Sequence, residues 1–265
     1  MSILDKNARI VVKIGSNTLT HSTGNLNLRR METLVRTLSD FKNYGHEVVL
    51  VSSGAVQAGI AKMGLKRRPD NVEEKMALSA IGQAELMQVY DSFFSTYGHT
   101  VAQILMTRDV IDYPARRSAA ESTFRELLKL GVVPIVNEND SVSSEELQKF
   151  GGNDTLSAYV AIVCGADILI NMSDIDGLYD CDPRKNPDAK LIDRVDEINE
   201  TILSYAGGAG SERGTGGMIT KIKAAEIVTS AGIPMLIVNG KNPEALYEIS
   251  DGKHIGTYFA AKKRV

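Results

Sequence analysis

The sequence predicts an α/β fold: a buried, largely parallel sheet covered by helices on both faces. Three observations carry this reading. Short runs rich in Val and Ile recur along the chain, segments with helical spacing lie between them, and the runs end in small or polar residues. The apolar runs fall at Arg9 to Ile14, Glu47 to Val51, Thr100 to Met106, Val132 to Asn137, Ile168 to Met172 and Met235 to Val238. Unbroken apolar character, without alternation, marks strands buried on both faces. After the first run, Met31, Leu34, Val35, Leu38 and Phe41 recur at helical spacing, and the pattern stops near Gly45. Further helices are predicted from near Val56, over about Val72 to Tyr97, from Arg116 to Leu130 before Gly131, and from Leu156 to Cys164. In sheets of this kind ligands gather at the carboxyl ends of the strands. Three irregular stretches therefore hold the interest: Asn137 to Asp154, Ser173 to Asp188, and Gly207 to Met218.

Composition narrows the function classes. The 265 residues are 43% hydrophobic and 24% charged, which suits one large domain or two tightly packed lobes. Thirty Lys and Arg against thirty-three Asp and Glu give a net charge of -3, so there is no global positive field to hold a nucleic-acid backbone. Cys164 and Cys181 are too few for a disulfide framework, and neither they nor His21, His46, His99 and His254 show metal-site spacing; no protein metal site is expected. With no secretory pattern at the N-terminus and no apolar run of membrane-spanning length, the expected location is the cytoplasm, without a membrane partner. No internal repeat or Pro- or Ser-rich linker divides the chain. The basic run Lys66-Arg67-Arg68 before Pro69 reads as a solvated turn.

Each candidate motif has an ordinary alternative. Val11-Val12-Lys13-Ile14-Gly15-Ser16 puts an ammonium in a buried strand, which is costly unless it meets an anion; the alternative is a lysine snorkelling to solvent. Val51-Ser52-Ser53-Gly54-Ala55 ends a strand where a helix begins, a geometry that offers amides to a carboxylate or phosphate, or simply an N-cap. Asn137-Glu138-Asn139-Asp140 sets polar groups at a strand end, where a carboxylate can hold an amino group, although turn chemistry also favours Asn and Asp. In Gly151-Gly152-Asn153-Asp154, Asp154 reads locally as a helix cap; its alternative role is to position cations. The turn holding Ser173-Asp174 and Gly177-Leu178-Tyr179-Asp180 has the makings of a frame for a nucleotide base, or of a tight surface loop. Gly214-Thr215-Gly216-Gly217-Met218-Ile219-Thr220-Lys221 is a glycine-rich loop entering a helix, suited to cradling phosphates with Lys221 about one turn in. Common nucleotide and hydrolase signatures are missing: Gly240-Lys241 and Gly252-Lys253 lack a following Ser or Thr, no GxGxxG opens the first helix, and no GxSxG occurs.

In order and spacing, VVKIGS, VSSGAV, VNENDSV, GGNDTLSA, SDIDGLYDCDPR and GTGGMITKIKAA together resemble the amino acid kinase family, and within it the branch acting on free glutamate. The resemblance spans nearly the whole chain. It implies a single domain over residues 1–265, a three-layer αβα sandwich with a mostly parallel central sheet. Its N-terminal half would bind glutamate and its C-terminal half ATP. Glutamate binding would fall to Ser53, Asp140 and Asn153. ATP contacts would fall to Lys13, Ser173, Asp174, Thr215, Gly216, Gly217, Met218, Ile219, Thr220 and Lys221. The catalytic residues would be Lys13, Asp154 and Lys221, with Asp154 orienting both lysines. The implied reaction is ATP-dependent phosphorylation of the side-chain carboxylate of L-glutamate to L-glutamate 5-phosphate plus ADP, the first step of proline biosynthesis, with Mg2+ bridging ATP oxygens. Proline as a feedback inhibitor and a homo-oligomeric state are further expectations.

Two departures stand out. Gly152 takes a place where many relatives carry an acid, which bears on substrate affinity and proline inhibition. The chain ends at Val265, and the C-terminal PUA domain of longer relatives is expected to be lacking. Rival readings are a kinase for N-acetylglutamate or aspartate, disfavoured by the NEND and GGND segments, and a non-catalytic ATP or amino-acid sensor, disfavoured by the presence of Lys13, Asp154 and Lys221. An NAD-binding oxidoreductase would need a dinucleotide fingerprint that the chain lacks.

Overall fold

In the computed structural model, which describes residues 7–67, 69–142, 150–206 and 217–262, the first apolar run becomes the centre of the sheet. Strand β1 (Arg9–Ile14) leads through α1 (Ser16–Leu19) and α2 (Leu28–Asn43) to β2 (Glu47–Ser52), and then through α3 (Ala55–Lys62) and α4 (Val72–Thr96) to β3 (Val101–Met106). Helices α5 (Asp109–Asp112) and α6 (Pro114–Lys129) return the chain to β4 (Val133–Glu138), and α7 (Asn153–Cys164) carries it to β5 (Ile168–Ser173). Next come β6 (Arg194–Val195), α8 (Glu200–Ala206), α9 (Met218–Ser230), β7 (Met235–Asn239), α10 (Ala245–Ser250) and β8 (Thr257–Phe259). The strands order as β3-β4-β2-β1-β5-β7-β8-β6. Pairing is parallel from β3 to β7, β8 runs antiparallel to β7, and β6 pairs parallel with β8. This is the predicted α/β sandwich with a mostly parallel sheet.

The period of two along each strand sorts the core into two layers. Val11, Val49, Val51, Val136, Leu169 and Ile237 pack with Phe124 of α6, Leu156 and Val160 of α7, and Ile222 and Val228 of α9. Ile10, Val12, Ile14, Leu50, Ile170 and Val238 face the other way, onto Leu34 and Leu38 of α2, Leu86 and Phe94 of α4, and Leu246 of α10. By the same parity Lys13 shares the face of Val11, beneath α7 and α9. Asn171 shares the face of Leu169 and stands in register with Lys13.

The strand starts match the sequence reading to within a residue, but β2, β4, β5 and β7 each run one residue further at the carboxyl end. Ser52, Glu138, Ser173 and Asn239 remain in the ladder, paired with Ile14, Met106, Asn239 and Ser173 respectively. Hydropathy marks where the apolar side chains end, whereas backbone pairing continues into polar residues, of which Ser52, Glu138 and Ser173 are still buried. Helix α7 begins at Asn153, ahead of the expected Leu156, for a similar reason: its first turn is polar. Asn27 and Asn71 start α2 and α4 by accepting the backbone N–H groups of Arg30 and Glu74. In the basic turn, Arg67 pairs with Asp70 and Glu74 at the surface, and Arg68 lies outside the described residues. Among the described residues no helix is long and apolar enough to cross a membrane.

Helices α3 and α4 cross at two glycines. A Cβ on Gly59 would lie 2.0 Å from the Leu78 carbonyl oxygen, and one on Gly82 would lie 1.8 Å from that of Ala55. No flexible side chain stands there to yield, since the opposing atoms are backbone. We expect Gly82→Ala to cost about 3 kcal/mol, the upper end for overpacking, read as a lower urea midpoint. An unchanged midpoint would mean that the helices do not meet at these residues.

Candidate active site

The carboxyl ends of β1, β2, β4 and β5 surround a cavity of about 310 Å³. Lys13, Ser53, Asp140, Asn153, Asp154, Ser173, Asp174 and Lys221 all line it. Two helices open onto it through glycines with positive φ: Gly54 before α3 at φ 108° and Gly152 before α7 at φ 112°. Glycine is favoured at such angles because a Cβ would strain the backbone. Neither helix has a side-chain cap, so first-turn amides remain available to an anion.

The deepest part of the cavity is a charged cluster. Lys13 Nζ lies 2.5 Å from Asp154 Oδ1, and Lys221 Nζ lies 3.0 Å from Asp154 Oδ2. Asn171 Nδ2 donates to Oδ1 at 2.9 Å, and Thr220 Oγ1 donates to Oδ2 at 2.7 Å. Only 5% of Lys13, 5% of Lys221 and 3% of Asp154 is exposed. Burial works against the Asp154 carboxylate, but the attraction of Lys13 and then Lys221 overcomes it and holds the group ionised, well below the usual carboxylate range. Lys13 is pulled down from the ordinary lysine value chiefly by burial, then by Lys221, against the opposing pull of Asp154. Asp174, which lines the same cavity, adds a second negative charge beside the pair of lysines: it favours the charged form of Lys13 and is itself drawn down by Lys221.

The helix-cap reading of Asp154 is corrected here. Gly152 is the N-cap, and the Asp154 side chain turns away from the first-turn amides toward the lysines. Tyr179 does not line the cavity; its hydroxyl donates to Asp176. Nearer the surface, Asn153 Nδ2 donates to Ser53 Oγ at 2.7 Å and to Asn137 Oδ1 at 2.9 Å, joining α7 to the ends of β2 and β4. Ser79 Oγ reaches Asp140 Oδ2 at 3.5 Å. Asp174 accepts from Asn17 and Ser173, and these hydrogen bonds lower its pKa despite partial burial, which acts to raise it.

Residues 8–239 match the amino acid kinase family. The chain is 51% identical to the glutamate 5-kinase of Clostridium perfringens (strain 13 / Type A) over 263 residues, covering 98% of each chain. The chain belongs to the amino acid kinase family. A second member, the glutamate 5-kinase of Clostridium tetani (strain Massachusetts / E88), is 54% identical over 254 residues, covering 96% of this chain and 95% of that one. The fold is shared with solved structures of low sequence identity. An isopentenyl phosphate kinase from T. acidophilum superposes with a TM-score of 0.64 at 18% identity, covering 95% of this chain and 99% of that one. A UMP kinase from Bacillus anthracis gives 0.64 at 18% identity, with 97% and 98% covered.

The residues expected at the site divide three ways. The cavity gathers Lys13, Ser53, Asp140, Asn153, Asp154, Ser173, Asp174 and Lys221. Gly217, Met218, Ile219 and Thr220 stand at the start of α9 outside the cavity lining, with Met218 packed on the core and Thr220 bonded to Asp154. Thr215 and Gly216 lie outside the described residues. Asn171 is an addition that the motifs do not include; its signal is an amide interrupting the apolar run of β5.

Asp154→Asn leaves Lys13 buried without its anion. We expect a loss of about 3 kcal/mol at neutral pH, as when one partner of a buried pair is removed. The sign of the pH dependence follows from Lys13, whose folded pKa lies below its unfolded value. The penalty holds below the folded pKa and is relieved as pH rises toward the unfolded value of about 10.4. Denaturant melts across this range should therefore show the deficit of the variant shrinking with pH; a constant deficit would contradict the charge argument.

Proposed function

We propose that this chain transfers the γ-phosphoryl group of ATP to the side-chain carboxylate of L-glutamate, forming L-glutamate 5-phosphate and ADP in the first step of proline biosynthesis. The observation that carries the reading is the buried Lys13–Asp154–Lys221 cluster, in which one carboxylate holds two lysines at the cavity.

The chemistry needs what this cluster offers. A glutamate side chain in water titrates at about pH 4.3, so its carboxylate is ionised at neutral pH and attacks without a general base. A carboxylate oxygen forms a bond to Pγ, the bond from Pγ to the β,γ-bridging oxygen breaks, and ADP leaves with that electron pair. The difficulty is bringing an anion to a polyanion and stabilising charge on the transferring group. Lys13 and Lys221 would meet that charge, with Asp154 holding both ammonium groups toward it. First-turn amides of α3 and α7, together with Ser53, Asn153 and Asp140, would receive the amino acid. Ser173, Asp174 and residues 215–221 would receive ATP, which divides the domain into an N-terminal glutamate half and a C-terminal nucleotide half.

Mg2+ fits as a cation carried on the triphosphate, since Asp174 is a carboxylate facing the cavity. When bound, it would neutralise phosphate oxygens. Inhibition by proline and self-association, which the resemblance implies, and a cytoplasmic location, which the sequence suggests, are proposed with it.

Lys13→Ala and Lys221→Ala should each lower kcat by at least about 100-fold, the scale of losing a preorganised charge donor. Near-normal turnover would remove that lysine from the mechanism. Trapping the acyl phosphate with hydroxylamine should give hydroxamate from glutamate; hydroxamate from N-acetylglutamate or aspartate alone would overturn the substrate assignment, and none from any of the three would point to a sensor.

A further inference from the structure

One face of α4 supports the amino-acid side of the cavity. Ser79, Gln83 and Tyr90 lie on it at helical spacing and reach two strand ends: Ser79 meets Asp140 and Gln83 meets Asn137 at 2.9 Å, both at the end of β4, and Tyr90 meets Ser52 of β2 at 2.8 Å. Gly82, on the same helix, lets α4 approach the start of α3.

Gln83 is the informative member, because amide orientations around it can be deduced from donors that cannot flip. The backbone N–H of Glu138 donates to Asn137 Oδ1 at 2.9 Å, so Asn137 presents Nδ2 on its other side, toward Gln83. Gln83 must answer with Oε1. Its Nε2 is then surplus, and it is in fact buried without a hydrogen-bond partner among the described residues, although Gln83 is only 7% exposed. The same logic continues outward. Asn137 Oδ1 accepts from Asn153 Nδ2, which also donates to Ser53 Oγ and, at 3.3 Å, to the Ser52 carbonyl. With Nδ2 committed to these acceptors, Oδ1 is the atom Asn153 has left to accept a donor such as a substrate ammonium group.

We infer that Gln83 is a positioning residue for substrate recognition: it orients Asn137, which orients Asn153, so that Asn153 turns an acceptor toward the amino group of glutamate. An orphaned buried donor on Gln83 is costly, and the cost is explained if the oxygen of that side chain is the group required. The inference rests on the proposed glutamate site.

The test compares steady-state kinetics of the wild type with Gln83→Met, Gln83→Glu, Asn137→Ala and the double variant Gln83→Met/Asn137→Ala. Gln83→Met should raise KM for glutamate about tenfold, the scale of one misoriented buried hydrogen bond, with kcat and KM for ATP within about twofold. Gln83→Glu keeps an oxygen facing Asn137 and should stay within about threefold of wild type in KM for glutamate, a comparison that remains if the methionine variant does not fold. In the double variant the methionine should add nothing to the effect of Asn137→Ala, since both act through one relay. An unchanged KM for glutamate in Gln83→Met, equal losses in the glutamate and methionine variants, or additive effects would each overturn the inference while leaving the glutamate site intact. A wild type that does not turn over glutamate would overturn the site assignment, and the inference with it.

Discussion

Two buried lysines clasp one buried carboxylate at the floor of the cavity, and much of the surrounding architecture is explained by the need to hold them. Lys13 is brought in by the central strand, Asp154 by the first turn of α7 and Lys221 by the first turn of α9. The α7 and α9 side chains pack together over the same sheet face, so the positions of the charges are set by the apolar contacts beneath them. Ion pairs of this kind are poor stabilisers; well-packed apolar residues of similar volume often serve stability better. Their presence in the middle of an otherwise apolar layer is therefore best understood through the anion they attract, and Asn171 and Thr220 saturate the Asp154 oxygens so that the carboxylate holds both cations in place.

The topology supplies the opening. From β1 the sheet extends through β2 and β4 on one side and through β5 and β7 on the other, so chain connections diverge from the centre and leave a crevice above the carboxyl ends. The two sides are furnished differently. Toward β2 and β4 the walls are amides, hydroxyls and the carboxylates of Glu138 and Asp140, and α4 braces them from behind. Toward β5 stand Ser173 and Asp174, at the margin of α9. On the proposed function, an amino acid would meet a nucleotide over the shared floor of Lys13, Asp154 and Lys221.

Much of the scaffold was legible in the linear sequence because a parallel sheet buried on both faces writes itself as unbroken apolar runs. The short elements α1, α5, α8 and α10 and the short strands β6 and β8 left no comparable trace, since a few residues cannot express a period, and the edge strand β6 pairs only with β8 among the described strands. Lys13 and Asp154 illustrate the limit at the site. Read locally, one was a snorkelling lysine and the other a helix cap; only the family resemblance joined them, because their contact spans 141 residues. Asn171 and Gln83 act through partners on other elements, and the residues themselves, one amide in a strand and one in a helix, carry no sign of which neighbour they serve.

Sequence separation in the cluster also has a consequence for how the molecule is made. Asp154 emerges 141 residues after Lys13, and Lys221 follows another 67 later. The central strand is thus synthesised first, while its neighbour β5 and the helices carrying its counter-charges arrive late. Until then Lys13 has no reason to leave water. Such non-local closure is slow relative to local helix formation, so the floor of the cavity is among the last features to assemble, and a nascent or partly folded chain displays helices and strands well before it has anywhere to hold a phosphate. Regain of turnover on refolding would report completion of the whole sandwich, whereas regain of helical signal would not.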